Sequence, residues 1–240
     1  MTAEEKFLRI GGICAMLGAM ITLAAILLGP MDLEARDTAV MITYFADNAG
    51  RLQVHGLGVA LGKLLLLGGF VALYTSLRNS GWARMGLAAA VAATVVNIIG
   101  PMFGGGVLPA IGQAYEMLPA GETAVALHAA QGFYYLYEAL LGPSLLTMAA
   151  ALLPFALAIL QADRYPRWLG WLALFVGLWL LIGGAAFFLV GPAGAAGIMN
   201  FFAPGFMLSF VWLFIVGFFL WRLAGVTEPA SERQQRSTTG

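Results

Sequence analysis

The stretch LGKLLLLGG, residues 61–69, places Lys63 inside an otherwise unbroken apolar run. An ammonium so placed either snorkels to a polar boundary along its four-carbon stem or meets a buried carboxylate. Other side chains capable of chemistry accompany it: His55 at the start of the same run, Asn97 in the next run, and His128, Gln131, Tyr135 and Glu138 within HAAQGFYYLYE, residues 128–138. These last four recur at i, i+3, i+7 and i+10, in one sector of a helix, which is expected to face protein and not lipid. Counted at ~1.5 Å per residue from the flanking arginines, Lys63 and Asn97 fall at one depth, about two-thirds of the way across a bilayer. Glu138 is the carboxylate nearest that depth. A Lys63–Glu138 ion pair with Asn97 and Tyr135 beside it is therefore expected, with plain snorkelling as the competing expectation.

Three chemistries compete for these residues. Together they can line an outward-facing polar pocket that binds, and in one version transports, a small or lipid-like ligand. Alternatively His55 and His128, on different helices at a common outer level, clamp a b-type haem, with Gly56, Gly58 and Gly132 leaving room for the macrocycle. In the third reading the cluster only holds helices together, in an accessory or structural membrane protein. Hydrogen bonding by the histidines is the expectation, so no cofactor and no metal is predicted, with haem b as the alternative. A retinal-type Schiff base on Lys63 is argued against by six spans and by the lack of a pigment motif. Cys14 is the single cysteine, which rules out an intrachain disulfide or a thiolate cluster. HExxH and GxSxG are absent, and GKL at 62–64 is no phosphate loop because Leu64 stands where a Ser or Thr would hold magnesium. No catalytic residue is assigned, and the balance is against an enzyme.

The elements that position these groups follow from composition. Hydrophobic residues make up 61% of the 240, charged residues 10%, and the mean hydropathy is +0.87, which makes the bilayer the solvent. The formal net charge is zero, so nothing points to nucleic acid and none is expected as a partner; the bilayer, and a small-molecule or lipid ligand, are the expected ones. Six apolar runs, at about 7–28, 56–77, 82–103, 139–160, 168–190 and 198–221, are each long enough for one helical crossing. The expected fold is all-α: an integral membrane bundle of six transmembrane helices with a polar outer-leaflet cavity, filling residues 1–222, followed by a disordered cytoplasmic tail, 223–240.

Lys6, Arg9, Arg78, Arg84, Arg164, Arg167, Arg222, Arg233 and Arg236 all fall on one side, whereas the other has only Arg36 and Arg51 beside Asp32, Glu34, Asp37, Asp47, Glu116 and Glu122. The positive-inside rule then puts both termini in the cytoplasm. Met41, Tyr44 and Phe45 suggest a short helix lying in the interface between spans one and two. PMFGGGVLPAIGQAYEMLPAGE, residues 101–122, with three glycines between prolines, is expected to leave the helix and fold over the bundle as a covering segment. Gly-Pro at 29–30, 100–101, 142–143 and 191–192 marks helix ends at a common level, or broken ends that open a cavity.

RYPRWLGWLALFVGL at 164–178, with RIGGICAMLGAMITLAAILLGP at 9–30 and HGLGVALGKLLLLGGFVALYTSLR at 55–78, resembles bacterial multi-pass proteins grouped as domain of unknown function 4386. The resemblance implies a helical membrane domain and supplies no chemistry to carry over; the expected location is the cell (inner) membrane.

Overall fold

The structure, a computed structural model, describes residues 2–29, 38–119, 123–190 and 195–225, with the backbone alone for 38–39 and 195–200. Among these the chain forms helices α1 (Ala3–Leu27), α2 (Thr38–Asp47), α3 (Ala49–Ser76), α4 (Gly81–Met102), a π-helical turn (Phe103–Val107), α5 (Leu108–Glu116), α6 (Thr123–Ala139), α7 (Leu141–Leu160), α8 (Arg167–Val190) and α9 (Ala195–Leu223), and no strand. Six stretches are long and apolar enough to cross a membrane: Ala3–Leu27, Ala49–Ser76, Gly81–Glu116, Thr123–Leu160, Arg167–Val190 and Phe201–Leu223. The protein is therefore a multi-pass helical membrane protein. An even number of crossings puts α1's start and α9's end on one face, here the near side. Expectations that rest on Pro30, Asp32, Glu34, Arg36, Asp37, Glu122, Gly191, Pro192, Arg233, Arg236 and the tail from 226 lie outside the described residues.

Small residues decide which helices touch. In lipid there is no hydrophobic drive between apolar helices, so close backbone approach takes its place. A Cβ on Gly18 would stand 2.7 Å from the Gly62 carbonyl oxygen, one on Gly69 2.6 Å from Ala15 Cβ, and one on Gly58 2.8 Å from Ala25 Cβ, an antiparallel seam between α1 and α3. The opposite face of α1 meets α9 in the same way, with a Gly12 Cβ 2.6 Å from the Gly217 carbonyl oxygen. On α8 glycines recur every seven residues, and Gly170, Gly177 and Gly184 receive Leu160, Leu153 and Leu146 of α7. With α3 on α4, α4 on α7 and α8 on α9, the spans form a ring in chain order, closed by α9 against α1.

The covering segment expected over 101–122 is instead helix as far as Glu116. Pro101 and Pro109 each remove an N–H from the ladder, and between them the turn widens so that the Leu108 N–H bonds to the Phe103 carbonyl. Gly105 lets this turn lie against α3, where a Cβ would come within 2.5 Å of the Leu52 carbonyl oxygen. Prolines do not end a membrane helix when neighbouring helices re-satisfy the backbone. At Gly142–Pro143 the break is real, because the Pro143 ring excludes the carbonyl of Ala139 and α6 ends there.

The runs Gly81–Glu116 and Thr123–Leu160, 36 and 38 residues long, far exceed the ~20 needed to cross. Their near-side ends are fixed by tight turns, so the excess stands beyond the far side of the bilayer. There α2, α5, α6 and the start of α3 enclose a second, smaller core of Met41, Phe45, Leu52 and Leu108, with Tyr44, Tyr134 and Tyr137 packed on it. The helix expected at 41–45 thus exists as α2, and its apolar side is buried in protein. Arg51 fastens this cap to the bundle by donating from Nε to the Leu28 carbonyl (2.9 Å) and from Nη2 to the Gly29 carbonyl (2.8 Å), at α1's open C-terminal end.

Candidate functional site

Lys63 sits inside the ring, only 3% exposed. Its Nζ donates to Asn97 Oδ1 at 3.2 Å and lies 4.4 Å and 5.0 Å from the ring centroids of Phe210 and Phe206 on α9. Leu66, Phe70, Ala93, Thr94 and Met148 complete the walls of a void of about 10 Å³ beside it, space for one water at most. Asn97 is itself fixed, since Nδ2 donates to the Ala93 carbonyl (2.9 Å) and reaches the Ser144 carbonyl on α7 (3.4 Å). Four helices therefore converge on one ammonium, which is stabilised by an amide oxygen and two ring faces.

Neither expected fate of Lys63 is met. The side chain does not snorkel, and among the described residues no ion pair joins it to Glu138. Glu138 lies six residues before Ser144, which is level with Asn97, and so stands about 9 Å higher at ~1.5 Å per residue. The co-depth of Lys63 and Asn97, by contrast, is a direct contact.

The stripe on α6 lies along the margin of the packed face and not at its centre. Ala130, Tyr134 and Tyr137 turn inward, against Phe45 and Gly104, while His128 and Tyr135 are exposed and Gln131 and Glu138 half-buried. Gln131 Nε2 donates to Tyr135 OH at 3.4 Å, and His128 Nδ1–H donates to the Ala124 carbonyl at 2.6 Å. His55 is buried between α3 and α1, its Nδ1–H donating to the Ala25 carbonyl at 2.8 Å. The two imidazoles thus occupy different settings, and among the described residues no group of three or more His, Cys, Asp or Glu is placed to hold a metal.

The larger hollow on the far side was not anticipated. Ile99, Met102, Phe103, Gly106, Val107, Ala110, Ile111, Ala114 and Phe133 line a lateral groove of about 760 Å³, almost wholly apolar, between the α4–π–α5 run and α6. Phe103 and Phe133 stack across it, with ring centroids 5.9 Å apart. Counted at ~1.5 Å per residue from Gly81, its lower wall around Ile99 and Met102 stands roughly 27–31 Å up, at the outer edge of a ~30 Å hydrocarbon layer. Its upper wall, from Gly106 to Ala114, stands beside the cap. At about 100° per residue, Phe133 and the His128–Glu138 stripe lie on opposite faces of α6, so groove and stripe do not share one pocket. The missed signal was Val107, Ala110, Ile111 and Ala114, apolar residues at helical spacing inside a segment read as irregular.

A family model described as "Domain of unknown function (DUF4386)" matches residues 9–221. No curated protein and no solved structure matches the chain.

Proposed function

We propose, for a chain that belongs to the family of domain of unknown function 4386, that the protein binds a lipid-like molecule, with an acyl chain in the far-side groove. One observation supports this reading: the groove is almost wholly apolar and runs from Ile99, at the outer edge of the hydrocarbon by a count of ~1.5 Å per residue, up to Ala114 beside the cap, where water or headgroups would otherwise meet Val107, Ala110 and Ile111. An exposed apolar hollow at that height is costly unless filled, and an acyl chain from the adjacent leaflet reaches it without leaving an apolar surface. The π-helical turn in its wall fits this role, since such turns gather at functional sites. The ligand's polar end then lies beyond the hydrocarbon, outside the groove.

The test is a phospholipid with a diazirine on its acyl chain, incorporated with the full chain into nanodiscs. Crosslinks should concentrate on residues 99–114 and fall several-fold in Ala110→Trp, whose indole fills the groove, with thermal stability retained. Labelling spread evenly over all lipid-facing helices, or unchanged by Ala110→Trp, would refute the reading.

We further infer that both termini face the cytoplasm of the cell in an inner membrane. Lys6, Arg9, Arg78, Arg84, Arg164, Arg167 and Arg222 on the near side support this orientation. In a Cys14→Ala background, an Asp47→Cys thiol should react with an impermeant maleimide in intact cells. Reaction only after permeabilisation would reverse the orientation.

A further inference from the structure

At the near face, the turns joining α3 to α4 and α7 to α8 flank a cleft of about 470 Å³ that includes Glu4, Arg78, Asn79, Ser80, Asp163 and Arg164 in its lining. A second hollow of about 360 Å³ shares Glu4, Arg78 and Arg164 and extends to Leu223. Trp82 and Trp168, exposed beside the two turns, mark this as headgroup depth.

The cleft rests on a fixed floor. The hydroxyls of Ser76 and Tyr165, both buried, are 2.6 Å apart, and Arg164 Nη1 donates to the Ser76 carbonyl at 3.3 Å. Burial pushes the Tyr165 phenol up to about 12, against the opposing pull of the Ser76 hydrogen bond and the Arg164 charge, so the phenol stays neutral. Ser80 occupies the N-cap of the 22-residue α4, yet its side chain makes no capping bond, and its Oγ is buried without a hydrogen-bond partner. Arg78 and Arg164 line the cleft next to the start of α4, a setting whose two guanidinium groups favour an anionic oxygen.

The carboxylates narrow the ligand class. Glu4 contacts Arg78 only loosely, at 3.8 Å with both side chains exposed, and Asp163 has no ion pair among the described residues. Two arginines against two carboxylates sum to zero. A simple anion would leave the cleft negative, whereas a zwitterion leaves the balance unchanged and gives Asp163 a partner.

We propose that this cleft binds the phosphoethanolamine headgroup of a near-leaflet lipid. The phosphate lies between Arg78 and Arg164, and the primary ammonium donates to Asp163. Trimethylation of that nitrogen removes its N–H donors, so phosphatidylcholine keeps only the phosphate contacts.

Native mass spectrometry of the full detergent-solubilised chain, titrated separately with phosphatidylethanolamine, phosphatidylcholine, phosphatidylglycerol and inorganic phosphate, tests this. Phosphatidylethanolamine should be retained about fivefold better than the other two lipids, the weight of one exposed charge contact. Arg78→Gln should lower that retention by about fivefold at unchanged thermal stability. Asp163→Asn should erase the preference over phosphatidylcholine while leaving phosphatidylcholine retention intact. Equal or better retention of phosphatidylglycerol, or a preference that survives Asp163→Asn, would overturn the assignment. Displacement of the lipid by inorganic phosphate would do so too, and would make free phosphate the occupant.

Discussion

Gly18→Leu should unfold the bundle at temperatures where the native protein is intact. Its new Cβ would lie 2.7 Å from the Gly62 carbonyl oxygen and 2.8 Å from the Leu66 amide nitrogen, so the obstacle is backbone, which no rotamer change relieves. The isobutyl group would drive α1 off α3 along a seam that also holds Gly11 against Ala72 and Thr22 against Gly62. The expected loss is on the order of 3 kcal/mol, the upper part of the overpacking range, out of a total of ~5–15 kcal/mol for an ordinary domain. Gly50 is the internal control, because a Cβ there meets nothing within 4 Å, so Gly50→Ala should be neutral or slightly stabilising. Fluorescence-detected size-exclusion chromatography after heating measures both. A Gly18→Leu protein as stable as the native one would mean that α1 and α3 do not pack in this register.

Lys63→Glu should be as damaging, and Lys63→Met nearly silent. The glutamate would set a buried anion against two ring faces and an amide oxygen, the groups that favour the ammonium, at a cost on the order of 3–5 kcal/mol. The methionine gives up one hydrogen bond and the cation–π contacts but also relieves a buried charge that lacks a carboxylate partner, so stability should stay within about 1 kcal/mol or rise. A true ion pair with Glu138 would give the opposite result for Lys63→Met, leaving that carboxylate stranded. The cycle with Glu138→Gln is decisive: about 9 Å of separation predicts additivity within ~0.5 kcal/mol. A large stability loss in Lys63→Met, recovered in the double variant, would restore the pair.

What the sequence made legible was whatever local composition controls. Six crossings followed from hydropathy alone, and the break before Gly142 from Pro143. The common depth of Lys63 and Asn97 followed from counting rise along two helices that begin at the same tight turn. Glu138 was only the carboxylate nearest in depth, and the six residues between it and Ser144, which is level with Asn97, set it about 9 Å above the lysine. The direction of the α6 stripe was illegible for a different reason. Periodicity groups His128, Gln131, Tyr135 and Glu138 on one arc, but only the packing of Ala130, Tyr134 and Tyr137 says which arc faces inward. Phe206 and Phe210, the rings that hold the ammonium, are ordinary apolar residues of the last span until α9 closes the ring. The heptad of glycines at 170, 177 and 184 was open to reading from the start, since small residues at that spacing mark a helix seam.

Closure of the ring by its first and last helices also sets an order in time. As the chain leaves the ribosome, α1 finds α3 early, but its second small-residue face, around Gly12, has its partner at Gly217, about 200 residues later. At ~5–20 residues per second that interval is roughly 10–40 s. For that long the newborn N-terminal helix presents bare backbone to the bilayer, and Lys63 waits without Phe206 and Phe210. The final span is thus the keystone of biosynthesis, and a nascent chain stalled before it is the form most in need of an insertase or of protection from proteolysis.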